Sequence, residues 1–170
     1  MRKTTGIMQL AEQALAEVES INCEDALARK DNGDLIFVDV RDIREVEKSD
    51  TIEGSYHAAR GMIEFWFDPQ SPYYREVYGD KNKTYVLFCN GNPRSALCAK
   101  ALRDIGIDNV AQLSGGMPAW REAGGPTVEK KGNSEISVRN ASRLYVKQLN
   151  SLQYHRSFFP SRLYREQTLP

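Results

Sequence analysis

The stretch YVLFCNGNPRS at residues 85–95 joins a short apolar segment to a polar loop and the start of a helix. Four consecutive apolar residues without polar alternation are typical of a strand that is buried on both faces, as in a parallel sheet. Residues 95–105 are rich in strong helix formers, and Gly106 is well suited to end that helix. The stretch therefore predicts a strand, a loop and a helix in succession.

The same alternation of strands and helices continues on both sides of this stretch. Further apolar strands are predicted at residues 35–40 and 110–113, and further helices at residues 23–30 and 118–123. Strands that alternate with helices indicate an α/β domain whose sheet is mainly parallel.

Three segments are predicted along the chain. Residues 1–19 form an amphipathic helix, residues 20–130 a globular domain, and residues 131–170 a basic extension that is partly helical or disordered. Residues 1–126 carry 15 Lys and Arg against 20 Asp and Glu, whereas residues 127–170 carry 8 against 3. Such a change of charge can mark an interaction segment. The residues with helical spacing in the first segment are Ile7, Leu10, Ala14, Leu15 and Val18.

The overall composition excludes several classes of function. Basic and acidic residues number 23 each, so the chain lacks the excess of positive charge that proteins binding nucleic acid or anionic membranes normally carry. No apolar run approaches the roughly 20 residues that a membrane span needs. Three cysteines at no metal-ligand spacing indicate neither a disulfide framework nor a zinc site. Without a signal peptide pattern, we expect a cytoplasmic protein.

The loop after the strand at residues 85–88 is the candidate functional site. Cys89 follows this strand directly, and Arg94 begins the next helix after four turn-type residues. Sites in open α/β sheets form at the carboxyl ends of strands. Loop N–H groups, the helix dipole and a guanidinium all favour an anion there, so we expect Cys89 to be a thiolate nucleophile. The predicted substrate-binding residues around it are Asn90, Gly91, Asn92, Pro93, Arg94, Ser95 and, at the mouth of the site, Arg60.

Four motifs resemble those of the single-domain rhodanese-like sulfurtransferases and occur in the family's order. They are DLIFVDVRD at residues 34–42, TIEGS at 51–55, the six-residue loop CNGNPR at 89–94, and LSGGMPAW at 113–120. The resemblance covers roughly residues 20–128. Glu53 and Ser55 stand where the family usually has proline and alanine.

This resemblance implies a rhodanese-like three-layer fold with a central, mainly parallel five-stranded sheet flanked by helices. It also implies that Cys89 carries sulfur. The Cys89 thiolate would take the outer sulfur of thiosulfate or of a persulfide donor, and a thiol or cyanide acceptor would then remove it. The expected partners are thus a small sulfur-containing anion and a thiol acceptor, and no metal or organic cofactor is expected.

Two other functions remain as alternatives. A sulfur-delivery or binding module would exchange sulfur with a protein partner, which residues 131–170 could bind. A cysteine-based phosphatase or arsenate reductase is the second alternative, but tyrosine-phosphatase-like loops have five residues between Cys and Arg. Here there are four, and Phe88 stands where general tyrosine phosphatases have histidine.

Three residues near the candidate loop have structural interpretations. Cys98 lies nine residues after Cys89 and is interpreted as a packing residue, with disulfide formation to Cys89 as the functional alternative. Asp39 and Arg41 end an early strand and are interpreted as a structural ion pair.

Overall fold

The protein is described here by a computed structural model of residues 4–130, which contain seven strands, six α-helices and two short 3-10 helices, at Lys30–Asn32 and Glu76–Tyr78. The strands are β1 (Glu19–Ile21), β2 (Leu35–Asp39), β3 (Asp50–Ile52), β4 (Tyr56–His57), β5 (Thr84–Phe88), β6 (Val110–Leu113) and β7 (Thr127–Glu129). The helices are α1 (Ile7–Glu17), α2 (Cys23–Arg29), α3 (Ile43–Val46), α4 (Ile63–Phe67), α5 (Pro93–Asp104) and α6 (Gly116–Glu122).

Five of the strands form one sheet in the order β1-β6-β5-β2-β4, and every neighbouring pair in it is parallel. The five-stranded parallel sheet that the family resemblance implied is therefore confirmed. β3 and β7 form a separate antiparallel pair. The central strands β2 and β5 are covered on both faces, which explains their continuous apolar sequence.

Two apolar clusters, one on each face of the sheet, make the fold three-layered. On one face α1, α4 and α5 contribute buried residues such as Ala14, Phe67 and Leu102. On the other face α2 and α6 contribute residues such as Ala26 and Trp120. Helices on both faces keep the polar strand ends free at the sheet's carboxyl edge, where the site lies.

The first helix has a narrower buried face than its sequence predicted. Ala11 and Ala14 are buried, because small side chains allow α1 to pack against α5. Ile7 and Leu10, which were predicted to lie on the apolar face, are exposed. The prediction of a helix was correct, and Ala14, Leu15 and Val18 of the predicted apolar face do pack against the core.

Several element boundaries also differ from the predicted ones. Helix α5 begins at Pro93 rather than at Ser95, because proline is compatible with the first helical position. Helix α6 begins at Gly116, two residues before the predicted start. β1 and β4 were not predicted, since strands of three and two residues carry almost no periodicity.

The predicted basic extension, residues 131–170, lies outside the described residues, so its extent and its role remain predictions. Between residues 4 and 130, no helix has the length and apolar character required to cross a membrane.

Candidate active site

Cys89 lies directly after β5 at the carboxyl edge of the sheet, and only 2% of its surface is exposed. Its Sγ donates a hydrogen bond to the carbonyl oxygen of Gly91 at 3.1 Å and lies 3.7 Å from the Ser95 hydroxyl oxygen. The Cys89 carbonyl oxygen accepts from the backbone N–H of Met117 at 2.9 Å. The strand, the loop and α6 together hold the thiol at the floor of the loop.

The loop presents backbone N–H groups that are not used within the described chain. Those of Asn90, Gly91, Asn92, Arg94 and Ser95 have no acceptor among residues 4–130. The first backbone N–H groups of every α-helix have no partner within the helix, and this applies to those at the start of α5. Pro93 itself has no N–H group. These groups can solvate an anion that sits above Cys89.

Arg94 forms a two-point ion pair with Glu45 of α3. Nη1 donates to Oε1 at 2.5 Å and Nη2 to Oε2 at 2.9 Å. The hydrogen-bonded guanidinium lowers the pKa of Glu45, and the carboxylate in turn raises that of Arg94. Cys89 also raises the pKa of Arg94, with a smaller effect than Glu45.

Glu45 was not among the residues predicted for the site. Locally it has a recognisable role, because it completes a capping box with Asp42 at the start of α3. Its contact with Arg94 joins residues 49 positions apart in sequence. Nothing in the local pattern indicates that second contact.

A buried ion pair supports Asn90, the second residue of the loop. Asp39 and Arg41 are both fully buried, and Arg41 Nη2 donates to Asp39 Oδ2 at 2.7 Å. Arg41 Nη1 also donates to the side-chain oxygen of Asn90 at 3.2 Å, while Thr51 donates to Asp39 at 2.7 Å. The pair is structural, and it connects the loop to the core.

A buried glutamine supports the other side of the loop. Gln112 in β6 accepts from the Ser95 hydroxyl at 3.5 Å and donates to Ser20 at 2.8 Å. Ser95 also donates to the carbonyl oxygen of Asn92 at 3.1 Å. Gln112 was missed, although a single polar residue in an otherwise apolar strand is a sequence signal for a buried polar contact.

The remaining predicted site residues lie around this centre. The side-chain oxygen of Asn92 accepts from the backbone N–H of Gly115 at 2.7 Å, which ties the loop to the start of α6. Arg60 is exposed, and its backbone N–H donates to the carbonyl oxygen of Val40, so it lies at the same edge of the sheet.

The other two cysteines are buried packing residues. Burial raises the pKa of Cys98 to about 12 and that of Cys23 to about 11. Cys23 donates to the carbonyl oxygen of Ser114 at 3.4 Å. Among the described residues, no group of three or more His, Cys, Asp or Glu side chains is placed to hold a metal ion.

The structure brings together a buried cysteine at a strand end, a six-residue loop and a closing Gly-Gly turn. Residues 22–123 match the family model described as the rhodanese-like domain. The chain belongs to the rhodanese-like family. The match includes the whole Cys89–Arg94 loop and the strands on both sides of it.

Two solved structures are similar to this chain. A protein of unknown function from Rhodopseudomonas palustris, described as a possible tyrosine phosphatase, is 42% identical, with a TM-score of 0.69 over 75% of this chain and 98% of that chain. Thiosulfate sulfurtransferase from Pseudomonas aeruginosa has a TM-score of 0.61 at 23% identity, over 71% of this chain and 22% of that one. This second likeness shows the shared fold alone.

A curated relative is also similar to part of the chain. An uncharacterized protein of Synechocystis is 41% identical over 58 residues, which is 34% of this chain. The matched region spans 32% of that relative's length.

Proposed function

We propose that this protein is a sulfurtransferase that carries a sulfane sulfur on Cys89. The observation that carries the proposal is the Cys89 thiol on the floor of a loop whose backbone N–H groups are free to bind an anion. Membership of the rhodanese-like family supports sulfur transfer as the general activity.

In the first step, the Cys89 thiolate forms a bond to the outer sulfur of thiosulfate or of a persulfide donor. The donor's S–S bond breaks, and the leaving group departs with the electron pair, as sulfite in the case of thiosulfate. The outer sulfur of the resulting Cys89 persulfide is an anion that the loop N–H groups can stabilise. Arg94 is the last residue of the same loop, and its guanidinium stabilises the same charge.

In the second step, a thiolate or cyanide attacks the outer sulfur of the persulfide. The new bond forms as the S–S bond to Cys89 breaks, and Cys89 leaves as a thiolate. The acceptor departs as a persulfide or as thiocyanate. The two half-reactions share one site, so ping-pong kinetics are expected.

A phosphatase is the second candidate, because the relative from Rhodopseudomonas palustris is described as a possible tyrosine phosphatase. The loop argues against it. Four residues separate Cys89 from Arg94, and the loop closes around the Cys89 sulfur through the contact with Gly91. A ring this short suits one sulfur atom better than a tetrahedral phosphate.

A delivery role with a protein partner is a variant of the same proposal. Cys89 would still accept sulfur, but the partner would supply or receive it, and residues 131–170 would contribute to partner binding. Turnover of small donors would then be slow, while persulfide formation on Cys89 would persist.

The decisive experiment is intact-protein mass spectrometry after brief incubation with thiosulfate or with a thiol persulfide. Wild type should gain one sulfur atom, a thiol should remove it, and Cys89→Ser should gain none. A matched Cys23→Ser variant should behave as wild type. Turnover of an aryl phosphate that depends on Cys89, without any sulfur gain, would instead establish the phosphatase.

A further inference from the structure

The carboxylate of Glu45 is held in place at the mouth of the active-site loop. It accepts two hydrogen bonds from Arg94, one from the backbone N–H of Asp42 at 3.3 Å and one from the side-chain amide of Asn90 at 3.4 Å. It therefore contacts the second and the last residue of the Cys89–Arg94 loop. A carboxylate fixed in this way keeps its negative charge next to the loop that would bind the donor.

Two other guanidinium groups at this edge of the sheet are also paired with carboxylates. Arg41 is buried against Asp39, and Arg44 forms an ion pair with Asp42 at 2.8 Å. The four loop residues between Cys89 and Arg94 carry no charged side chain.

The loop N–H groups that lack an acceptor between residues 4 and 130 thus favour one anionic sulfur, and the charge of Arg94 is already paired with Glu45. Thiosulfate is a dianion, and two charges are repelled by a fixed carboxylate about twice as strongly as one. The donor sulfur of an organic persulfide or thiosulfonate carries only a single charge near the reacting bond.

We propose that Glu45 makes this site selective for donors with one negative charge near the transferable sulfur, such as organic persulfides and thiosulfonates, over dianions such as thiosulfate. This inference rests on the proposed sulfurtransferase function. Glu45 is a specificity residue here and takes no part in bond making. It offsets part of the positive charge of Arg94 and repels the outer charge of the donor.

The test uses two donors with the same reaction and different charge, methanethiosulfonate and thiosulfate. In both, Cys89 takes the outer sulfur and the leaving group departs with the electron pair, as methanesulfinate or as sulfite. The variant Glu45→Gln removes the charge but keeps a side chain that can complete the capping box. The value of kcat/KM is measured for each donor, with the same thiol acceptor.

A loss of charge at Glu45 should raise kcat/KM by about threefold for methanethiosulfonate and about tenfold for thiosulfate, because a Coulomb energy scales with donor charge. Glu45→Asp keeps the charge and should keep the wild-type ratio of the two donors. Glu47→Gln removes a charge from an exposed residue just after α3 and should leave both values unchanged.

An equal change for both donors in Glu45→Gln, or a fall for both, would overturn the selectivity and show a structural role only. If Glu45→Gln does not fold, the test depends on Glu45→Asp. A ratio of the two kcat/KM values in Glu45→Asp that differs from the wild-type ratio would overturn the proposal too. Failure of wild type to gain sulfur from any donor is a different result. It would overturn the proposed function itself, and the selectivity with it.

Discussion

Gly116 packs its backbone directly against Cys89, so that a Cβ atom at Gly116 would overlap with the Cys89 carbonyl oxygen and lie 2.7 Å from that of Gly91. Gly116 also has a φ of +58°, in the left-handed region that favours glycine. The close approach allows the N–H of Met117 to bind the Cys89 carbonyl. The Gly-Gly turn therefore sets the position of the catalytic loop from outside it.

Gly116→Ala should displace the loop and slow sulfur transfer by at least about tenfold, since a small misplacement of reacting groups is costly. It should also lower the free energy of unfolding by about 1–3 kcal/mol. Donor turnover and urea unfolding measure the two effects. Gly106→Ala is the control, because Gly106 has a φ of +88° with no atom within 4 Å of an added Cβ. Equal losses of activity in both variants would contradict a specific role for the contact.

Cys98→Ala should retain sulfur loading on Cys89. Burial raises the pKa of Cys98 to about 12, so its thiol is almost entirely protonated at neutral pH and is a poor partner for disulfide exchange. We expect a loss of about 1 kcal/mol in stability and unchanged recovery of activity after mild peroxide treatment. Cys23→Ala serves as the matched buried control. Impaired recovery in the Cys98 variant alone would show that Cys98 resolves oxidised Cys89.

Arg41→Met should destabilise the protein by about 3–5 kcal/mol, because it leaves the buried Asp39 carboxylate without its cation. Urea unfolding at neutral pH measures this loss. The double variant Asp39→Asn/Arg41→Met removes both charges, so its loss should be smaller than the sum of the two single losses. Strict additivity would mean that the pair does not act as a unit.

The ion pair between Asp50 and Arg121 should contribute to stability in a defined acid range. Arg121 Nε donates to Asp50 Oδ2 at 2.9 Å, and this contact lowers the pKa of Asp50 to about 2 from a usual value of 3.8. A carboxylate with a lowered folded-state pKa stabilises the fold above its unfolded pKa. That contribution is lost as the pH falls through the folded-state value.

Arg121→Gln should therefore reduce the loss of thermal stability between about pH 4 and pH 2, measured by thermal unfolding across that range. Arg103→Gln removes the same charge, but Arg103 donates to the backbone carbonyl of Glu17 rather than to a carboxylate. Its pH profile should match that of wild type. Identical profiles for all three proteins would contradict the assignment.

The strands and helices that the sequence predicted best are those with long runs of apolar or helix-forming residues. β6 was placed at its observed residues, and β2 and β5 to within one residue. Their apolar side chains have to be buried whatever surrounds them. β3 and β7, by contrast, pair over three residues each, and β7 is exposed throughout. Such pairing depends on where distant parts of the chain meet in the fold, and a local sequence pattern does not indicate this.

The same division applies to the active site. By itself, the sequence determined the strand end, the loop and the helix that follows, because Cys89 through Arg94 are consecutive and their backbone geometry is local. Only the tertiary structure brought Glu45 to Arg94, Arg41 to Asn90 and Gly116 to Cys89. These contacts join separate elements across the carboxyl edge of the sheet, so they depend on how the whole chain folds and not on the local sequence.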